Sequence, residues 1–228
     1  LRFDLSGFED HRLDLSLHEP GGATRHTRVT YRLIEDIAGG PPRIERYVEG
    51  ESTLPQDDAQ ARRTIRRERH RSIMSAVDLS PVSARGEVEW EADGEWHRTA
   101  YDLHFADGRV TGTIEDSTGV VRQVDRDVPA GIVLRDMRDI AFGALVADPL
   151  VGRSMELRTF DAEAAEIRID RFDIRRRTTL EVRGEQRDAL AVDIASGLVN
   201  ERAYYSTELP RRLLRHEDAG TGAVEDSQ

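Results

Sequence analysis

The chain has 228 residues, of which 38% are hydrophobic and 34% charged, a size that supports a core without staples and a composition that describes a soluble protein with a heavily charged surface. Its 44 acidic residues outweigh 33 basic ones, and the net charge of -11 argues against a general nucleic-acid binder, whose affinity comes from cations meeting phosphates. The absence of cysteine excludes disulfides, thiolate metal sites and cysteine nucleophiles, and no apolar run approaches the roughly 20 residues of a bilayer-spanning helix.

His11 to Glu19 alternates, with Leu13, Leu15 and Leu17 on one side, and reads as a strand ended by Pro20-Gly21-Gly22. A second strand follows over Arg25 to Ile37, with Val29, Tyr31 and Leu33 in step. Gly39-Gly40-Pro41-Pro42 is a rigid turn within one sheet, because strand character resumes over Ile44 to Ser52. Asp57 to Arg71 is ambiguous. Asp57 and Asp58 are placed to cap a helix, yet the alternation of Ile65 and Ile73 favours a loop feeding a strand over Thr64 to Val77. Arg62, Arg63, Arg66, Arg67, Arg69 and Arg71 make a basic run here. It reads either as an anion or partner patch or as a solvated face balanced by neighbouring acids.

The most legible stretch comes next. Asp93-Gly94 is a two-residue hairpin signal, because both turn positions favour positive φ. Pairing outward sets Trp90 opposite His97 and Val88 opposite Thr99, with Glu89 opposite Arg98 on the other face. Asp107-Gly108 makes a second such turn and sets Phe105 opposite Val110, Leu103 opposite Gly112 and Tyr101 opposite Ile114. Two turns read independently agree on one apolar face.

A further strand runs from Val120 to Val128, and Pro129-Ala130-Gly131 interrupts it. The one convincing helix spans Arg135 to Ala147, with Met137, Ile140, Ala141, Ala144 and Leu145 on one stripe and Asp148-Pro149 as its stop. Strand character returns over Arg153 to Phe160. It continues as a ladder from Glu166 to Glu217 through Ile167/Ile169, Phe172/Ile174 and Thr178/Leu180/Val182, then the turns Gly184-Glu185-Gln186 and Ser196-Gly197. Pairing across Ser196-Gly197 sets Val192 opposite Glu201, so the faces of this ladder mix apolar and charged residues. Residues 1-217 read as a single β-rich domain, and 218-228, small and acidic, as a disordered tail. The expected fold is all-β with one helix: a large curled antiparallel sheet or half-open barrel with the helix packed in its concave face.

Val128-Pro129-Ala130-Gly131 leading into a helix, the run Tyr204-Tyr205-Ser206-Thr207-Glu208-Leu209-Pro210-Arg211-Arg212-Leu213, and a looser match at Val77-Asp78-Leu79-Ser80-Pro81 resemble a family of uncharacterised bacterial envelope proteins. That family is similar in turn to lipoprotein carriers of the LolA/LolB type, whose half-open β-barrel holds acyl chains beneath a helical lid. The resemblance covers about Val29 to Glu217 and implies a lipid or acyl-chain ligand and a periplasmic or envelope location. It supplies no catalytic residues. Some such carriers are anchored through a lipidated cysteine, which this chain lacks. The chain opens at Leu1 without methionine, which fits removal of a signal peptide and fits trimming equally.

The seven histidines form no recognised ligand spacing, acid pairs such as Asp102 with Asp107 or Asp170 with Asp173 have no apolar surround, and Ser154 lacks a nucleophile elbow. No metal, cofactor or enzyme activity is expected. The candidate ligand-binding face comprises Val88, Trp90, His97, Tyr101, Leu103, Phe105, Val110 and Ile114, with Met137 and Ile140 above it. About 12 methylenes buried there at roughly 0.8 kcal/mol each would supply on the order of 10 kcal/mol before ordering costs. Filled by its own side chains, the same face is only a core. The leading expectation is thus a non-enzymatic envelope protein that binds a lipid or other hydrophobic ligand. The alternative is an assembly module that docks an envelope protein partner through sheet edges or the arginine run.

Overall fold

The structure, a computed structural model, describes Leu5 and residues 8-18, 24-34, 40-54, 64-92, 94-145, 151-182, 184-196, 199-209, 211-218 and 224-226. The strands are β1 (His11–His18), β2 (Thr24–Ile34), β3 (Arg43–Leu54), β4 (Thr64–Ser75), β5 (Pro81–Ala92), β6 (Glu95–Ala106), β7 (Arg109–Glu115), β8 (Val121–Asp127) and β9 (Val133–Leu134). A 3-10 turn (Arg135–Met137) and helix α1 (Arg138–Gly143) follow. The chain then forms β10 (Ser154–Asp161), β11 (Glu166–Val182), β12 (Glu185–Ser196), β13 (Val199–Ser206), β14 (Leu213–Asp218) and β15 (Val224–Asp226). Among the described residues the protein is mostly antiparallel sheet with one short helix, and the larger sheet curls into a half-barrel.

Where the sequence suggests one continuous sheet, the strands form two. β1 to β8 make an eight-stranded meander in chain order, and β9 to β15 make a seven-stranded sheet, also in chain order. The break falls at Val128 to Ile132, where Pro129 cannot donate to a ladder and Gly131 turns at a φ of 74°. β9 then pairs parallel to β10, with Thr159 opposite Val133. At the far ends β15 lies beside β1. One core joins both sheets: Leu103, Val110 and Ile114 of the meander share a cluster with Leu157, Phe160, Phe172, Leu190 and Val192 of the second sheet and with Met137, Ala141 and Phe142 of the helical turn.

The meander hairpins have the pairing expected from their turns. Trp90 lies opposite His97 and Glu89 opposite Arg98, and Phe105 opposite Val110 and Tyr101 opposite Ile114. Gly112, opposite Leu103, has a φ of 146°, and a Cβ there would stand 2.0 Å from the Asp102 carbonyl oxygen, so this glycine allows close strand approach. Leu103 itself is fully buried.

The second sheet departs further from expectation. Ile167 to Val182 belong to one 17-residue strand, interrupted by a bulge between Ile174 and Arg176. The extra residue exchanges the faces. Phe172 and Ile174 face the shared core before it, whereas beyond it Leu180 joins Ala189, Ala191 and Tyr204 on the opposite side of the sheet. The β12–β13 register places Ile194, not Val192, opposite Glu201 and leaves Val192 opposite Ala203, because the strands resume at Ser196 and Val199 rather than on either side of a Ser196-Gly197 turn.

The helix is shorter than the Arg135 to Ala147 span expected, with α-helix over Arg138–Gly143 only; Asp148-Pro149 lies outside the described residues. Part of the expected tail is strand, since Val224 pairs with Glu217 and Asp226 with Arg215. The remainder, 219-223 and 227-228, lies outside the described residues.

Candidate functional site

Arg135, Asp136, Arg138 and Asp139, four charges around the apolar Met137, tie the helical turn to both sheets. Asp136 reaches toward the meander, where its carboxylate accepts from Arg46 Nη1 at 3.1 Å and from the Ser72 hydroxyl at 2.5 Å. Arg46 Nε in turn donates to the Tyr31 hydroxyl at 3.3 Å. The other three reach the second sheet. Arg135 donates to Asp161 at 3.2 Å, the Tyr205 hydroxyl donates to Asp139 at 2.5 Å, and Arg138 pairs with Glu201 and, at 3.6 Å, with Asp170. His216 Nε2 lies 3.0 Å from the same Glu201 carboxylate.

Buried ion pairs hold only when the charges keep their partners, because desolvation penalises each one. Burial alone would push the Glu201 carboxyl up, but the His216 hydrogen bond and the Arg138 charge outweigh it and hold the carboxyl below its ordinary range. Burial would likewise weaken the Arg138 cation, and Asp139, Glu201 and Asp170 together keep it charged. Burial, reinforced by Asp139, raises the Tyr205 phenol well above its ordinary value, so it stays a donor. Glu201 is therefore part of the helix mount. The mixed face of the ladder supplies partners that fix the helix.

Arg211 secures the other end. The Arg211 backbone N–H donates to the Gly143 carbonyl at 3.0 Å, and Arg211 Nη1 donates to the Leu145 carbonyl at 2.8 Å. The Gly143 carbonyl is among those a helix C-terminus leaves without intrahelical partners. Arg211 is only 7% exposed. The approach is so close that a Cβ on Gly143 would stand 2.2 Å from the Arg211 carbonyl oxygen.

A cavity of about 970 Å³ opens beside this mounted helix. Ile140, Gly143 and Ala144 form its helical wall. Leu5, Phe8, His11, Leu13 and Tyr31 form the wall on the side of β1 and β2. Thr179, Val182 and Glu185 to Asp188, from the end of the β11–β12 hairpin, stand opposite, with Ser206 to Leu209 and Arg211 to Leu214 completing the rim. His11 stacks on Tyr31 at a centroid distance of 4.7 Å, and Phe8 meets His11 edge-on at 5.5 Å. The site thus pairs an aromatic and aliphatic lining with a charged rim.

Of the candidate ligand-binding residues read from sequence, Ile140 alone lines this cavity. Val88, Tyr101, Leu103, Val110, Ile114 and Met137 are buried, and Phe105 packs edge-on against Phe160 of β10 at 5.1 Å. Strands β9 and β10 and the turn after β10 cover much of the meander's apolar face: Arg126 donates to the Ala165 carbonyl at 2.8 Å, and Ala165 is buried. Trp90 and His97 stack at 5.5 Å near the hairpin end and are half-buried. Tyr101 lies over Gly86, where a Cβ would stand 2.4 Å from its ring, and its hydroxyl is 3.0 Å from His70 Nδ1.

The arginine run is distributed along β4 and matched by acids. Arg67 pairs with Glu51 at 3.1 Å, Arg69 with Glu49 at 3.6 Å, Arg71 with Glu45 at 2.5 Å and Arg66 with Glu68 at 3.7 Å. Arg62 and Arg63 lie outside the described residues. Among the described residues, no group of three or more His, Cys, Asp and Glu is placed to hold a metal ion, and no helix is long and apolar enough to cross a membrane.

Leu13 and Tyr31 belong to alternations visible in sequence. Their juxtaposition with Ile140, Val182 and Leu213 is not, because it depends on how the two sheets close around the helix. The charges at 135, 136, 138 and 139 carried a signal of their own: four ionic residues inside the span of an otherwise buried helix demand partners.

The chain matches no protein-family model, and no curated protein matches it in sequence. Its fold is shared with a solved structure. That structure is a beta-barrel-like protein of domain of unknown function DUF1849 from Brucella abortus, similar at a TM-score of 0.63 over 100% of this chain and 97% of the other, with 12% identity. At that identity the likeness concerns the fold alone.

Proposed function

We propose that the protein is a non-enzymatic binder of a hydrophobic or amphipathic ligand, held in the cavity beside α1. One observation carries this reading: about 970 Å³ of space lined by Phe8, Leu13, Tyr31, Ile140, Ala144 and Leu213, close to the upper end of the roughly 300–1,000 Å³ typical of ligand pockets. The ion pairs that anchor the helix to both sheets make one wall of this space firm, and a preformed wall lowers the ordering cost of binding. The half-barrel fold and the resemblance to lipoprotein carriers support the same reading, and an acyl chain of the cell envelope is the ligand class they suggest. A periplasmic location belongs to this proposal.

Fluorescence of an environment-sensitive naphthylamine probe, titrated into the protein, tests it. Saturable uptake is expected, with affinity in the micromolar range, equivalent to about -8 kcal/mol. Ile140→Trp, which fills the cavity from the helix side, lowers that affinity about tenfold or more. Uptake that does not saturate, or that Ile140→Trp leaves unchanged, overturns the reading.

A further inference from the structure

Resting on the binding reading above, we infer that the cavity takes an amphiphile whose polar end is cationic, an alkylammonium rather than a carboxylate or a phosphate. Five carboxylates line the space, from Glu9, Asp139, Glu185, Asp188 and Glu208, against three guanidinium groups, from Arg187, Arg211 and Arg212. Those arginines are already engaged. Arg212 donates to Glu9 at 3.2 Å, Arg187 pairs with Glu185, and Arg211 donates to the Leu145 carbonyl at 2.8 Å.

On the acidic side the balance differs. Asp188 accepts from the neutral Thr179 hydroxyl at 3.4 Å, and Asp139, which accepts from the Tyr205 phenol at 2.5 Å, also faces the Arg138 charge. Beside them stands the aromatic group of Phe8, His11 and Tyr31, its rings in contact at 5.5 and 4.7 Å. Aromatic faces attract an ammonium through their quadrupoles, and carboxylates add a Coulomb term that a methylated ammonium satisfies without needing oriented hydrogen bonds. An anionic head placed in the same rim meets excess negative charge, and it gains an arginine only by displacing an existing partner.

Isothermal titration with three ten-carbon probes below their micelle concentrations separates the possibilities: decyltrimethylammonium, decanoate and decyl maltoside. Decyltrimethylammonium is expected to bind about tenfold or more tighter than decanoate, the equivalent of one screened ion pair with cation–π contact. Asp139→Asn should lower affinity for decyltrimethylammonium several-fold more than for decyl maltoside. Asp188→Asn, whose side chain has no bond to the helix mount, provides the same comparison if Asp139→Asn perturbs folding. Equal affinities for the three probes, or tighter decanoate binding, overturn the charge preference and leave hydrophobic binding standing. Saturable binding by none of them removes both.

Discussion

Gly143 is the position where the mounting of the helix can be tested most sharply. Replacing glycine by alanine within a helix ordinarily stabilises by up to about 1 kcal/mol, through helix propensity. Here the added Cβ would stand 2.2 Å from the Arg211 carbonyl oxygen, a backbone atom with no rotamer to yield. Either the Arg211 backbone or the end of the helix must move. Overpacking of this kind costs about 1–3 kcal/mol, and moving either also loosens the Arg211 N–H bond to the Gly143 carbonyl, 3.0 Å long and worth about 1 kcal/mol. The balance is a net destabilisation of about 1–3 kcal/mol for Gly143→Ala. Equilibrium urea denaturation followed by far-UV circular dichroism reads it directly as a lowered midpoint at unchanged slope. A midpoint equal to or above that of the unaltered protein would refute the close contact between the helix end and Arg211.

Two more outcomes follow from the core and from the buried charges. Phe160 is fully buried, with Phe105 edge-on against it, so Phe160→Ala should cost about 3–5 kcal/mol in the same denaturation experiment; a loss below about 1 kcal/mol would mean that the two sheets do not share that core. Glu201 has a folded-state carboxyl held below its ordinary value of 4.5. Its contribution is therefore fully present above that value and is lost as pH falls through the depressed folded value. Stability measured from pH 6 downward, a range spanning roughly the ordinary carboxylate values, should fall less steeply for Glu201→Gln than for the unaltered protein; parallel curves would rule out Glu201 as a paired buried acid.

The parts of the molecule legible in sequence are those fixed by local chemistry. Asp93-Gly94 and Asp107-Gly108 set the hairpin registers from Val88 to Ile114 because a two-residue turn leaves one pairing open, and the alternation on either side agrees with it. The bulge after Ile174 left no such mark. Three consecutive arginines at 175, 176 and 177 conceal an extra residue, so nothing local marks that Leu180 sits on the face opposite Phe172 and Ile174. The register near Glu201 slipped for a related reason: Ser196-Gly197 marks a turn without fixing which two residues occupy it.

The cavity was harder still to anticipate. Its walls come from residues as far apart as His11, Ile140, Asp188 and Leu213, and no local pattern joins them. The cleanest apolar face in the sequence, that of Tyr101, Leu103, Val110 and Ile114, belongs to the packed interior. A clean face is the expected sign of a filled core, whereas a binding cavity keeps polar groups among its apolar ones. The mixture in the ladder was the more informative signal.

The single added residue in β11 also bears on how this fold can change over time. Ahead of it, Asp170 and Phe172 hold fixed partners in the interior; beyond it, Thr179 and Val182 border open space. Because the bulge resets the inward and outward alternation midway, the outer half of the hairpin can exchange side chains without forcing matching exchanges in the inner half. One continuous strand therefore behaves as two units of heritable variation, one conserving the helix mount and the other free to change the border of the cavity.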